Sequence, residues 1–211
     1  MNLDLTEFQA NLSKTMVSAD TPDLYIALKE QYLQWVISLS DLKETSVSKN
    51  IAKLGIVKPW MLGVANFRGN ICSVVDFKRL FDDSGTYVNY KNIITIVNDK
   101  YNLNTGFLWN DIYGLFGEDQ IDKFKINQDF FSENQEVNTF LEENKEYIGE
   151  RRQFISHVIR KKKDLDENNN QIVKYKNHGE DFDENGFWLT LDVEKMISSG
   201  FLTDIQKNKM I

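Results

Sequence analysis

The sequence predicts an all-β protein built around a small β-barrel. Short runs rich in β-branched and aromatic residues recur along the chain and are separated by polar connectors. Two glycines, Gly63 and Gly69, bracket one such run, and a second run at residues 71–75 follows directly. Glycine allows a strand to turn sharply or another backbone to approach closely, and a small barrel needs such positions at its corners.

The predicted strands share β-branched and aromatic content and are bounded by turn residues: 24–28, 32–37, 71–75, 92–97, Thr105–Trp109, 112–116, 154–159 and Phe187–Leu191. Apolar residues at helical spacing predict helices at residues 1–16, within 132–150, at Phe77–Phe81, around Val193–Ser198 and at 202–210. Asp76 and Asp192 precede two of these helices and are predicted to cap them. The segments 74–81 and 190–197 are similar to each other, which indicates two related β-units.

Composition excludes several classes of function. The chain has 211 residues, a net charge of −7 and 41% hydrophobic residues, which suits a packed core but not a phosphate-binding surface. Its one cysteine excludes an intramolecular disulfide framework. No apolar run approaches the roughly 18 residues of a membrane span, and the first residues lack the features of a signal peptide. We therefore expect a cytosolic protein.

Catalytic and metal-binding patterns are weak. Cys72 lies in an apolar run, and His157 and His178 are far from it in sequence, so neither a Cys–His pair nor a zinc site is predicted. Residues 181–192 carry Asp, Asp, Asn and Gly at the spacing of an EF-hand calcium loop, but Asp192 stands where that loop needs a bidentate glutamate. We expect an acidic turn, no cofactor and no enzyme activity. A small β-barrel that binds a metal or ligand is the less favoured alternative.

Residues 63–76 resemble the motif of CheW-like coupling proteins, in which Gly-Val, Asn and Arg-Gly precede a strand that ends in Asp. The resemblance extends from Leu24 to about Asp122 and returns at residues 187–197. Pro59-Trp60 ahead of the motif and Gly69-Asn70 within it are most similar to the family's type IV pilus branch, the PilI-like proteins. Ser73 stands where the family often has proline.

The resemblance implies a pair of intertwined five-stranded SH3-like barrels with peripheral N- and C-terminal helices. The implied domain spans residues 21–200, with insertions near 128–150 and 161–185. Residues 1–20 would form an N-terminal helical extension, and residues 201–211 a C-terminal helix.

By the same resemblance the protein is a non-catalytic adaptor. It would join the cytoplasmic tip of a methyl-accepting chemoreceptor to the regulatory domain of a CheA-type histidine kinase, and would control twitching motility. The alternative within the family is flagellar or other chemosensory signalling. The implied receptor-binding residues are Arg68, Asp41, Asn66 and Leu39, with Gly63 and Gly69 shaping the turn. No nucleic acid and no membrane insertion are implied, although receptor arrays at the membrane would recruit the protein.

Overall fold

Strand pairing divides the chain between two mixed β-sheets that it visits in turn. The structure, a computed structural model, describes residues 23–47, 50–55, 58–81, 93–162, 186–200 and 202. The described strands are β1 Leu24–Glu30, β2 Leu33–Ser38, β3 Leu42–Val47, β4 Met61–Phe67, β5 Asn70–Asp76, β6 Ile93–Val97, β7 Thr105–Trp109, β8 Asp111–Gly117, β9 Ile121–Lys125, β10 Ile155–Lys161 and β11 Phe187–Leu191. The chain starts in one sheet with β1 and β2, crosses to the other for β3 to β7, and returns for β8 to β11.

The first sheet closes on itself. Its order is β8-β1-β2-β11-β10-β9, so β8 and β9 lie at opposite ends. Only the single turn of 3₁₀ helix at Glu118–Gln120 separates these two strands in the chain. Counted as one bent strand, β8 and β9 make this sheet a five-stranded barrel, which we call the first barrel.

The second sheet has the order β3-β6-β7-β5-β4. Beyond β3, Ala52 pairs with Val64 of β4 through backbone hydrogen bonds of 2.8 and 2.9 Å. This bridge joins the chain beyond β3, the first strand in the order, to β4, the last strand. The sheet therefore closes, and five strands again enclose a core. We call this unit the second barrel. The predicted all-β fold of two intertwined barrels is confirmed.

Short helices cover the barrels: α1 Phe77–Phe81, α2 Gln135–Glu143, α3 Lys145–Ile148 and α4 Val193–Ser198. A 3₁₀ helix at Gly149–Phe154 continues from α3 and leads into β10. The predicted helix at residues 1–16 lies outside the described residues. Of the predicted helix at 202–210 only Leu202 is described, and it is helical. Of the predicted excursion at 161–185, residues 163–185 lie outside the described residues.

Three apolar clusters account for the packing. One contains residues of the first barrel only, among them Tyr113 and Trp188. Another contains residues of the second barrel only, among them Cys72 and Leu108. The largest includes residues from both barrels and from every described α-helix. Because this shared cluster would be exposed if the barrels separated, burial of apolar area favours one folded unit.

Strands β3 and β9 are additions to the elements predicted from sequence. Both are polar, with sequences LKETSV and IDKFK, and both are only partly buried. Their ladders to β6 and β10, and not their own apolar content, define them as strands. Sequence patterns under-predict such strands because a strand exposed on one face has little hydrophobic signal.

Candidate functional site

A tight turn between β4 and β5 presents Arg68 to solvent. Arg68 and Gly69 both have positive φ, 49° and 88°. The side-chain oxygen of Asn66 accepts a hydrogen bond of 2.8 Å from the backbone N–H of Gly69. This bond satisfies a turn donor and stabilises the left-handed conformation that a non-glycine residue adopts at a cost. Asn66 therefore holds the turn that aims Arg68 outward.

The guanidinium of Arg68 pairs with Glu44 of β3. Its Nε lies 3.2 Å from Glu44 Oε2, and the Arg68 side chain remains 70% exposed while that of Glu44 is 16% exposed. Only one edge of the guanidinium is engaged in this contact. Since the group has five donors in a fixed fork, the rest of it can bind a second carboxylate.

An exposed apolar side chain follows this arginine by three residues, in β5. Ile71 is the cross-strand partner of Asn66 in the β4–β5 hairpin and is 66% exposed. Arg68 and Ile71 together give a small surface with both charge and apolar area. Such a combination suits contact with another protein better than catalysis.

Asp41 lies on the short 3₁₀ helix Leu39–Asp41 that precedes β3. Its carboxylate accepts hydrogen bonds from Lys100 Nζ at 2.8 Å and from the Tyr101 hydroxyl at 2.6 Å. Burial, together with Asp41, raises the pKa of Tyr101 to about 12, and the hydrogen bond to Asp41 raises the pKa of Lys100. The negative charge of Asp41 is thus paired with Lys100. The ion-pair partner of Arg68 is Glu44 and not Asp41.

The other two residues named from the sequence, Leu39 and Gly63, are both buried. Leu39 is 8% exposed and belongs to the core cluster shared by the barrels, so it supports the surface from beneath. Gly63 lies within β4, away from the turn. An added Cβ there would be 2.1 Å from the carbonyl oxygen of Ala52, so this glycine admits the backbone that closes the second barrel.

Both capping aspartates bind backbone donors. Asp76 Oδ1 accepts from Arg79 N at 3.1 Å at the start of α1, and Asp192 Oδ1 accepts from Lys195 N at 2.8 Å at the start of α4. The N-terminal residues of the calcium-loop pattern, 181–185, lie outside the described residues. Asp192, its last position, serves α4 in this structure.

Burial shifts the pKa of both Cys72 and His157. Burial raises the pKa of the Cys72 thiol, which disfavours the reactive thiolate. Burial, followed by the charges of Lys123 and Lys125, lowers the pKa of His157. Within the described ranges, no three His, Cys, Asp or Glu side chains converge on a common metal position. None of the helices in the described part of the chain has the length and apolarity of a membrane-spanning segment.

Glu44 and Ile71 were missed by sequence reasoning. Glu44 is one acid among several in a polar segment, and its pairing with Arg68 depends on how β3 and the β4–β5 turn meet in the barrel. Ile71 sits at the start of an apolar run, which predicts burial for every member. The one available signal was its position close to the turn, two residues after Gly69.

Comparisons with known proteins agree with this architecture. The family model of the CheW-like domain matches residues 24–201. No curated protein matches the sequence. A solved structure that is similar is the scaffolding protein TtCheW from Thermoanaerobacter tengcongensis, with a TM-score of 0.50 and 14% identity over 84% of this chain and 92% of that one. At that identity the likeness concerns the fold. The match of the family model over most of the sequence shows that this chain belongs to the CheW-like domain family.

Proposed function

We propose that this protein couples a methyl-accepting chemoreceptor to a CheA-type histidine kinase as a non-catalytic adaptor in the cytoplasm. CheW-like proteins are scaffolds of chemosensory signalling, and the family match supports that role. The observation that carries the proposal is the β4–β5 turn, where an exposed guanidinium and an exposed isoleucine lie three residues apart in one hairpin.

The turn suits the helical tip of a receptor. Arg68 offers an acidic side chain the guanidinium donors that its contact with Glu44 does not use, and Ile71 offers apolar area to a neighbouring turn of the same helix. Glu44 keeps the guanidinium oriented in the free protein, which reduces the entropy lost on binding. Asn66 fixes the conformation of the turn through its hydrogen bond from the N–H of Gly69. Asp41 adds a negative charge on the 3₁₀ helix that precedes β3.

We further assign the protein to the type IV pilus branch of the family. Pro59-Trp60 and Gly69-Asn70 support this assignment, and the ring of Trp60 is buried while its carbonyl accepts the N–H of Asp76 at 2.8 Å. Deletion of the gene should abolish twitching and leave swimming intact. Loss of swimming with normal twitching would assign the protein to a flagellar system instead.

The test of the proposed coupling is charge reversal at the turn. Affinity capture from native lysate should first recover a chemoreceptor and a histidine kinase, whose cytoplasmic and regulatory fragments are then purified. Arg68→Glu should weaken binding to the receptor fragment by a few kcal/mol, because attraction becomes repulsion, while binding to the kinase fragment persists. Isothermal titration calorimetry measures both affinities.

Arg152→Glu provides the matched control, since Arg152 is also exposed but packs over Phe130, 5.4 Å from its ring, in another part of the chain. It should leave both affinities unchanged. Unaltered receptor binding by Arg68→Glu would remove the turn from the interface. Equal loss of both partners with a lower melting temperature would show that Arg68 supports the fold.

A further inference from the structure

Two exposed tyrosines stack on each other at the junction of β2 and α3. Tyr32, in the turn between β1 and β2, is 54% exposed, and Tyr147 of α3 is 46% exposed. Their ring centroids are 4.5 Å apart with an interplanar angle of 28°. Stacked aromatic side chains that remain half exposed leave apolar area in water, which is typical of interaction surfaces. We call Tyr32 and Tyr147 the tyrosine patch.

A buried ion pair fixes the patch from below. Arg151 and Glu30 are almost fully buried, and Arg151 Nη2 lies 2.6 Å from Glu30 Oε1. Arg151 Nη1 also donates to the backbone carbonyl of Tyr147 at 2.9 Å. The guanidinium of Arg151 therefore links the backbone of Tyr147 to Glu30, which lies two positions before Tyr32. A patch held in this way loses little conformational entropy when it binds a partner.

The Tyr147 side of the patch is negatively charged. Between Asp129 and Glu150 the sequence has seven acidic residues and one lysine. Glu143, Glu146 and Glu150 are exposed, at four, one and three positions from Tyr147. Other carboxylates of the segment are already engaged, Glu142 with Lys145 and Glu136 with Arg160.

A groove continues from the patch between β2 and α2. It has a volume of about 470 Å³, and its lining includes Tyr32, Leu33, Phe140, Phe187 and Glu143. Leu33, Phe140 and Phe187 supply apolar and aromatic surface to the groove, among polar side chains. Glu143 supplies an exposed carboxylate beside the amine of Lys29, whereas Glu136 is already paired with Arg160. An aromatic floor beside carboxylates attracts cationic side chains, because a cation is stabilised both by the face of a ring and by an opposite charge.

We propose that the tyrosine patch and this groove bind a basic, apolar-containing segment of a partner protein, with lysine or arginine against Tyr147 and its neighbouring glutamates and apolar side chains in the groove. The ring of Tyr32 already has Tyr147 and Lys78 as partners, so it contributes apolar area. This surface is distinct from the β4–β5 turn. Arg68 precedes β5, whereas Lys78, 5.6 Å from the ring of Tyr32, follows it. The seven residues of β5 separate the two surfaces by about 20 Å at the usual rise of a strand. The protein would thus carry a contact separate from the receptor contact proposed for the β4–β5 turn.

The probe is a fluorescent 14-residue peptide of leucine and lysine in a helical amphipathic pattern, compared with its leucine–glutamate counterpart. The full chain should bind the lysine peptide and not the glutamate peptide, with amide shifts in NMR spectra centred on Tyr32 and Tyr147. The double variant Tyr32→Ala/Tyr147→Ala should weaken binding about tenfold, since the cation–π contact at Tyr147 and the exposed apolar area of both rings are lost. Both rings are exposed, so the melting temperature should change little.

Matched controls separate the patch from general attraction to an acidic protein. Glu143→Gln should weaken binding several-fold, whereas Glu133→Gln, an exposed site outside the groove with the same change in net charge, should not. Phe131→Ala removes another exposed aromatic ring and should also be neutral. Equal binding by the tyrosine double variant, or equal effects of the two glutamine variants, would overturn the proposal. Self-association that Tyr32→Ala abolishes in sedimentation equilibrium would assign the patch to a second copy of this chain and overturn it as well.

Discussion

Gly63 and Gly69 are six positions apart in the chain, yet they serve different physical purposes. Gly69 has a φ of 88° and open space where a Cβ would stand, so only its conformation requires glycine. Gly63 has a φ of 142°, and the carbonyl of Ala52 occupies the space a Cβ would need. The first glycine admits a backbone, and the second permits a turn.

Alanine substitution at each glycine should separate these two effects. Gly69→Ala should cost about 1–2 kcal/mol of unfolding free energy, the strain of a left-handed residue. Gly63→Ala should cost on the order of 3–4 kcal/mol, because the Ala52–Val64 bridge and its two hydrogen bonds are also displaced. Guanidinium unfolding measures both values. Equal losses would mean that the strand extension moves aside without cost.

The candidate site around Arg68 could be predicted from sequence only in part. The glycine-bracketed turn and its projecting arginine follow from residue types alone, since Asn and Gly favour turns and positive φ. The partner Glu44 does not, because the contact depends on how far apart β3 and the turn lie in the closed barrel. Burial of Leu39 was likewise invisible to sequence, as it arises from the packing between the two barrels.

Among the elements, the strands with strong hydrophobic patterns were predicted and the polar ones were not. Thr105–Trp109 is buried along its whole length: Phe107 and Trp109 face the shared core, and Leu108 faces the interior of the second barrel. A strand buried on both faces has a continuous apolar run, which is easily recognised. Strand β9 has alternating lysines on one exposed face, and its pairing to β10 is what identifies it.

Strand β10 has a titratable side chain that should make stability depend on pH. Burial, Lys123 and Lys125 lower the pKa of His157 below its usual 6.5, with Asp192 acting in the opposite direction. The unfolded chain therefore binds more protons than the folded chain just below pH 6.5, so stability should fall as the pH drops through that region. His157→Gln should lose less stability between pH 7.5 and pH 5.5 than the unaltered chain.

The comparison with His157→Gln removes contributions from other groups in the same interval. Burial raises the pKa of Glu30, opposed by Arg151, and this acts with the opposite sign because protonation then favours the folded state. Since Glu30 is unchanged in both proteins, its contribution cancels in the difference. Identical pH profiles for the two proteins would show that His157 titrates alike in the folded and unfolded chains.

At the scale of the whole molecule, the two barrels repeat one topological unit. Strands β4 and β5 followed by α1 correspond to β10 and β11 followed by α4. In each unit the two strands are antiparallel, and the second one pairs in parallel with a strand from elsewhere, β5 with β7 and β11 with β2. The short similarity between residues 74–81 and 190–197 reflects this repeat. The chain crosses twice between the barrels, and both barrels contribute residues to the shared core. The two units are therefore held in one folded structure.

Phe77 stands at the centre of that shared core. Its ring stacks on Trp109 of the second barrel with centroids 4.4 Å apart, and meets Trp35 of the first barrel edge-on at 5.3 Å. Phe77 is fully buried, so Phe77→Ala should cost about 3–5 kcal/mol. Because the lost contacts belong to both barrels, the variant should still unfold in one transition, at lower denaturant concentration.

Tryptophan fluorescence and far-UV circular dichroism together measure this cooperativity, since Trp35 and Trp188 belong to the first barrel and Trp109 to the second. Coincident curves are expected for the unaltered chain and for Phe77→Ala, whose midpoints should differ. Phe131→Ala is the control: its ring is 56% exposed, and its loss should change stability by no more than about 0.5 kcal/mol. Two separated transitions would mean that the shared core contributes too little to couple the barrels, and that each folds on its own closed sheet.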